Sequence, residues 1–304
     1  MTAALLLVAL LAAEPAAPAS LSPGNHERKL TVNELERSYV VHVPRNYDPQ
    51  KPTPVVLCYH GAINNAAIMI TITGLNKKAD ESGFLAVYPN GTGLNGMIFT
   101  WNSGGMPSQV EDSKRDDVKF TAMLLDDLAT AANVDKRRVF ATGLSNGGMM
   151  CHRLGVELSD RIAAIAPVGG TLALEKPLPK RAVPVMQIHG TADAFVPWTG
   201  PQVNKPLIKF RGVDETIQFW VRHDACAETP REEQLPDKSN DGTSVRRYTY
   251  GSGRDGSEVV LVKIENGGHT WPGREIPLAI LGKSTKDVAA NDLIWDFFQK
   301  HPMP

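Results

Sequence analysis

Between Arg37 and Gln299 the chain repeats one pattern: a short apolar run rich in β-formers, a turn, then a stretch with helical spacing. Pro54 to Tyr59 reads Pro-Val-Val-Leu-Cys-Tyr, a continuous apolar run of the kind buried on both faces of a sheet. Leu85 to Tyr88, Arg138 to Thr142, Ile162 to Val168 and Val183 to Ile188 repeat it, and Arg37 to Val43 alternates as a half-buried strand. Helix-like stretches lie at Val118 to Ala132, Asn146 to Leu158, Asp214 to Arg222 and Asp287 to Gln299. Strands alternating with helices form βαβ units, which predicts a doubly wound α/β fold with a mostly parallel sheet and helices on both faces. No linker-like run and no internal repeat divides the chain, so a single domain is expected over residues 30–300. Glu228 to Gly256, rich in turn residues, reads as an excursion around one strand, Ser244 to Tyr250.

Composition narrows the function. The 304 residues carry 32 Lys and Arg against 33 Asp and Glu, a formal charge of −1, so no basic footprint for nucleic acid or anionic lipid is present. With 42% hydrophobic and 21% charged residues, the chain can bury a large core. Ala3 to Ala13 is an apolar run of about eleven residues, short of the roughly 20 needed to span a membrane. It reads as the core of a secretory leader within residues 1–20, although no Lys or Arg precedes it, with small-residue cleavage options at Ala13 or Ala17-Pro18-Ala19. A secreted or periplasmic location follows. Three cysteines, Cys58, Cys151 and Cys226, cannot all pair within one chain, and their spacing fits no zinc site.

The chemistry is carried by Gly143-Leu144-Ser145-Asn146-Gly147, set between a buried strand and a helix. At a sharp strand-to-helix turn the serine backbone is strained and flanking side chains would collide with neighbouring elements, so glycines stand on either side. The turn lifts the Ser145 hydroxyl above the carboxyl edge of the sheet, and the Asn146 N–H at the helix start supplies half of an oxyanion hole. Such a nucleophile needs an acid and a base downstream, in the order Ser, acid, His. Asp193 follows the strand at Val183 to Ile188, and His269 lies in a glycine-rich loop after a strand at Glu258 to Ile264. Among the eight histidines, His26 and His301 lie near the termini, His42 in a strand, and His152 and His223 on helices. His189 is expected to order the acid loop and His60 to shape the second oxyanion contact, given by the N–H of Ala62 or alternatively of Gly61. His269 remains as the base.

Gly143-Leu144-Ser145-Asn146-Gly147-Gly148-Met149-Met150, the loop His189-Gly190-Thr191-Ala192-Asp193, and Gly267-Gly268-His269-Thr270-Trp271-Pro272-Gly273 together resemble one group. It is the group of secreted esterases that joins polyhydroxybutyrate depolymerases to feruloyl and acetylxylan esterases. The resemblance runs from about Leu30 to Gln299 and includes Tyr88-Pro89-Asn90-Gly91, Trp101-Asn102 and Asp116-Asp117-Val118. It implies an α/β-hydrolase fold, a Ser145, Asp193, His269 triad, and no metal or organic cofactor. Many relatives carry a cysteine where this chain has Ala62, and pair a cysteine near Cys226 with one near Gly253; here Tyr250 to Arg254 holds none, which leaves Cys226 as a free thiol.

The expected activity is that of a serine carboxylesterase on an ester substrate, with a hydroxyalkanoate oligomer or polymer as the leading substrate and feruloyl or acetylxylan esters as the alternative. A peptidase on the same fold and a binding module that kept the fold are the remaining readings; peptide hydrolysis and fluorophosphonate labelling separate them. Trp101 and Trp271, with Trp198 nearby in sequence, are candidate apolar walls for the acyl group, and Asn102 a candidate hydrogen-bonding partner.

Overall fold

The computed structural model describes residues 21–94, 98–105, 114–202, 209–275 and 278–304. The expected leader at 1–20 lies outside the described residues. In chain order the elements are β1 (Gly24–Val32), β2 (Leu35–Val43), β3 (Thr53–Tyr59), α1 (Ala66–Thr73), α2 (Leu75–Ser82), β4 (Leu85–Pro89), β5 (Thr92–Leu94) and β6 (Ile98–Thr100). There follow α3 (Asp117–Ala131), β7 (Val134–Leu144), α4 (Asn146–Glu157), β8 (Ala164–Val168), β9 (Val185–Gly190), α5 (Val213–Asp224), β10 (Arg231–Gln234), β11 (Ser244–Tyr250), β12 (Val259–Glu265) and α6 (Ala290–Phe298).

Among the described residues, ten strands form one sheet in the order β1-β2-β4-β3-β7-β8-β9-β12-β11-β10. From β4 to β12 neighbouring strands run parallel, and antiparallel pairs close both edges. The alternation of side chains explains the layers. In β3, Val55, Leu57 and Tyr59 join a core with Phe120 and Leu124 of α3, Met150 and Leu154 of α4, and Ile217 and Trp220 of α5. Val56 and Cys58 point the other way, into a core with Met69 of α1, Leu75 and Ala79 of α2, and Trp295 and Phe298 of α6. This doubly wound sheet is the expected one, built without a break into a second domain.

The structure adds elements that periodicity did not mark. Strand β1 begins at Gly24, ahead of the expected domain start, and its residues alternate between exposed and half-buried, so it has no apolar run to announce it. Helix α1 is apolar on nearly every side, and α2 is short and polar. The stretch around Ser244 to Tyr250 proves to be a hairpin, because β10 pairs with β11 in register from Arg231↔Thr249. Among the described residues no helix is long and apolar enough to cross a membrane.

All three cysteines are free and buried. A Cβ placed on Gly253 would lie 2.7 Å from Cys226 Sγ, close to the separation of about 3 Å that a disulfide requires between a Cβ and its partner's sulfur. The Ser257 carbonyl oxygen would stand 2.8 Å from the same Cβ, so with the Ser257 hydroxyl turned aside and that carbonyl shifted by a few tenths of an ångström, Gly253→Cys is expected to bridge to Cys226 and add about 2 kcal/mol of stability. Thiol titration of the oxidised, unfolded variant then reads two thiols; a reading of four shows that no bridge forms.

Candidate active site

Strand β7 runs into α4 through Ser145, whose backbone is held at φ 60°, ψ −123°. This lies outside the regions that side chains favour, and such strain costs on the order of 1–3 kcal/mol. The reason glycines flank it is visible as distances. A Cβ on Gly147 would sit 2.2 Å from the Tyr59 carbonyl oxygen, and one on Gly143 would sit 2.7 Å from the same oxygen. The Ser145 N–H donates to Val168 O at 2.9 Å, anchoring the turn to β8.

The turn after β3 lies against the serine. Gly61 is close enough that an added Cβ would stand 3.4 Å from Ser145 Cβ. His60 fixes this turn. Its Nδ1–H donates to the Gly61 carbonyl at 2.7 Å, while its Nε2 accepts the Gly91 N–H at 3.0 Å. Burial pushes the His60 imidazole down to about 4, so it is neutral and can accept at one nitrogen and donate at the other. Since the peptide is trans and its carbonyl is pinned by His60, the Ala62 N–H points away from that carbonyl. Ile63 follows with φ 64°, a left-handed conformation that is rare for a β-branched residue, and its side chain is 69% exposed.

At the same edge, the loop after β9 carries Asp193 and the loop after β12 carries His269. His269 Nδ1–H donates to Asp193 Oδ2 at 2.7 Å, and both residues are nearly buried. The other carboxylate oxygen accepts the N–H groups of Phe195 and Val196 at 2.9 and 2.8 Å, so the Asp193 carboxylate is held at both ends. Gly169 leaves room for this pair, because a Cβ there would come within 3.2 Å of His269 Nδ1. The Phe195 ring lies 5.2 Å from the His269 ring and is 48% exposed. Phe195 and Ile63 escape a reading of the sequence, since nothing in the local pattern shows that an apolar residue there faces out.

The residues expected to line an acyl pocket have other work. Trp101 is fully buried, and its indole N–H donates to the His60 carbonyl at 2.8 Å. Trp271 is equally buried, with its N–H on Asn291 Oδ1 at 3.0 Å. Neither shows a face to solvent; both pack the scaffold, because each indole N–H found a protein acceptor and each ring an apolar neighbourhood. Asn102 borders a depression of about 540 Å³ whose lining contains none of Ser145, Asp193 and His269. Its backbone is what matters here: the Asn102 N–H donates to Asp117 Oδ2 at 2.7 Å, and Asp117 is paired with Arg37 at 2.7 Å in full burial. The Asn146 side chain completes this strap. It accepts the Trp101 N–H at 2.7 Å and donates to Trp101 O and to Ser103 Oγ at 3.2 and 3.0 Å. Among the described residues no cluster of three or more His, Cys, Asp or Glu is placed to hold a metal ion.

Residues 50–229 match the family model described as phospholipase/carboxylesterase. The protein named Putative esterase NocK, of Nocardia uniformis subsp. tsuyamanensis, is 32% identical over 89% of this chain and 81% of its own length. Feruloyl esterase B of Piromyces equi is 30% identical over 77% of this chain, and the chain spans 42% of that protein's length. Among solved structures, the acetyl xylan esterase from Aspergillus awamori superposes with a TM-score of 0.62 over 90% of this chain and 99% of its own, a likeness of fold at 14% identity. The chain belongs to the phospholipase/carboxylesterase family: it is a feruloyl esterase-like serine hydrolase of the α/β-hydrolase fold, a carboxylic ester hydrolase.

Proposed function

We propose that Ser145, His269 and Asp193 carry the ester hydrolysis, an assignment that rests above all on the 2.7 Å hydrogen bond between Asp193 and His269 at the edge where Ser145 is raised. Ser145 Oγ attacks the ester carbonyl while His269 Nε2 accepts its proton, and Asp193 keeps the imidazole in the tautomer that leaves Nε2 free to do so. Negative charge developing on the carbonyl oxygen is met by the N–H groups of Asn146 and Ala62. The alcohol leaves with the proton from His269, and water, activated by the same imidazole, releases the acid from the acyl-enzyme.

For the substrate, an aryl ester of the feruloyl type is the reading favoured here. The half-exposed Phe195 ring over His269 offers a stacking face for a planar acyl group, and relatives named feruloyl esterase support that direction. A 3-hydroxybutyrate oligomer is the second reading, favoured by the exposed aliphatic Ile63 beside the Gly61–Ala62 turn. Export is part of the same proposal, since an enzyme acting on cell-wall esters or on polyester must meet them outside the cell.

Ser145→Ala is expected to lower kcat on any accepted ester by roughly 10⁵–10⁶-fold; wild-type turnover in this variant rejects the assignment. Methyl ferulate is expected to exceed a 3-hydroxybutyrate oligomer at least tenfold in kcat/KM, equivalent to about 1.4 kcal/mol of transition-state binding, with the reverse order selecting the polyester reading. Phe195→Ala removes a ring contact of about 1 kcal/mol, a roughly fivefold loss on methyl ferulate that an acetate ester does not share.

A further inference from the structure

Behind the candidate triad a row of buried polar side chains runs from α5 past α4 and along one face of β9 to the acid loop. The Trp220 indole N–H donates to His152 Nδ1 at 3.0 Å, and His152 Nε2–H donates to Gln187 Oε1 at 3.0 Å. Gln187 Nε2 donates in turn to His189 Nδ1 at 3.1 Å and to Gly170 O at 3.1 Å. His189 Nε2–H ends the row on the Val196 carbonyl at 2.8 Å. Every side chain in it is almost completely buried.

The ends of this row determine its middle. An indole N–H can only donate and a carbonyl can only accept, so each bond between them has one possible direction. Both imidazoles must then be neutral, protonated at Nε2, and the Gln187 amide can adopt only one of its two flips. Burial supports this, holding His152 down at about 4 and lowering His189 as well. A protonated imidazole would present a second N–H where it must accept, and would break the row.

Val196 joins the row to the site. Its carbonyl is held by His189, and its N–H donates to Asp193 Oδ1 at 2.8 Å. The His189 Nε2 also stands 3.6 Å from Asp193 Oδ2, the oxygen that accepts from His269. We propose that His189, oriented by the row from Trp220 through His152 and Gln187, is a positioning residue that sets the Asp193 carboxylate for His269. This rests on the triad assignment above. Its role is distinct from that of a base, because both of its nitrogens are committed, one to Gln187 and the other to Val196. Hydrogen bonds in a row of one polarity reinforce each other in a low-dielectric interior, which gives a change at Trp220 a route to the acid loop.

The test uses the full-length protein with His189→Gln, His189→Leu and Trp220→Phe. The Gln amide can still donate to Val196 O, Leu cannot, and Phe removes only the first N–H of the row. Reactive sites are counted by fluorophosphonate labelling run to completion, so that misfolded protein is excluded from kcat. Per labelled site, His189→Leu is expected to lose about 100-fold in kcat with KM within twofold, and His189→Gln to recover at least tenfold of that. Trp220→Phe is expected to lose a few-fold, again in kcat. In the proton NMR spectrum, the most downfield resonance, from the His269 to Asp193 hydrogen bond, shifts or is lost in His189→Leu and is retained in His189→Gln. If labelled sites in the Leu variant turn over as fast as wild type, His189 serves folding alone and the proposal falls. Equal losses in Gln and Leu with an unchanged resonance also overturn it. Should His189→Leu not fold, an unchanged kcat and resonance in both remaining variants decides against it. Turnover surviving in Ser145→Ala would instead reject the triad assignment itself.

Discussion

The backbone of Ser145 is held at φ 60°, ψ −123°, and most of what surrounds it can be understood as support for that one strained residue. A free chain would relax it at a gain on the order of 1–3 kcal/mol, so the support must be rigid. It comes from close backbone approach. Gly143 and Gly147 let β7 and α4 press against the Tyr59 carbonyl, and Gly170 lets the chain after β8 come so near that a Cβ there would be 2.2 Å from the Ser145 carbonyl oxygen. The strain is tolerated because β3, β7 and β8 are neighbouring parallel strands in the middle of the sheet, locked by ladders on both sides.

Two buried polar systems then arrange the other groups around the serine. On one side, Arg37 and Asp117 form an ion pair inside the protein, with Arg37 also 4.0 Å over the Phe120 ring. Such a pair is a poor source of net stability, since desolvating both ions costs several kcal/mol. Its value here is positional. Asp117 has a second oxygen to fix the Asn102 N–H, and the strap at residues 101–103 then meets the Asn146 side chain next to Ser145. Tyr88-Pro89-Asn90-Gly91, Trp101-Asn102 and Asp116-Asp117-Val118 look unrelated along the chain. In space, Arg37 bonds both Asp117 and the Asn90 carbonyl, Asp117 bonds Asn102, and Gly91 bonds His60.

On the other side, the directed row ends at Val196 in the loop after β9, and the Asp193 to His269 bond joins that loop to the one after β12. These strands are parallel neighbours, and their carboxyl ends bring two loops from distant parts of the chain side by side. Beyond β12 the sheet continues only as the antiparallel β11 and β10. The hairpin therefore covers the edge of β12, so that the strand leading to His269 is an interior one, paired on both sides.

The sequence by itself determined the class of fold and the chemistry that the edge can perform. Continuous apolar strands such as Pro54 to Tyr59 admit only a sheet covered on both faces, and Gly-x-Ser-x-Gly between strand and helix admits few backbone paths. That Asp193 and His269 emerge at the same edge of the sheet was legible because each follows a buried strand. What only the tertiary structure decided is which side chains face outward and which are consumed inside. Trp101 and Trp271 sit in motifs beside the site yet are wholly buried, while Phe195 and Ile63, apolar and inconspicuous, are exposed next to it. Periodicity reports which face of an element a residue occupies. In a loop there is no period, and the direction of a side chain is set by contacts with residues far along the chain, such as the bonds from Trp101 to His60, 41 positions away, and to Asn146, 45 positions away. For His189 the division falls within one residue: its place before the acid loop suggests that it orders that loop, while the row of Gln187, His152 and Trp220 that orients it is brought into line only by the fold.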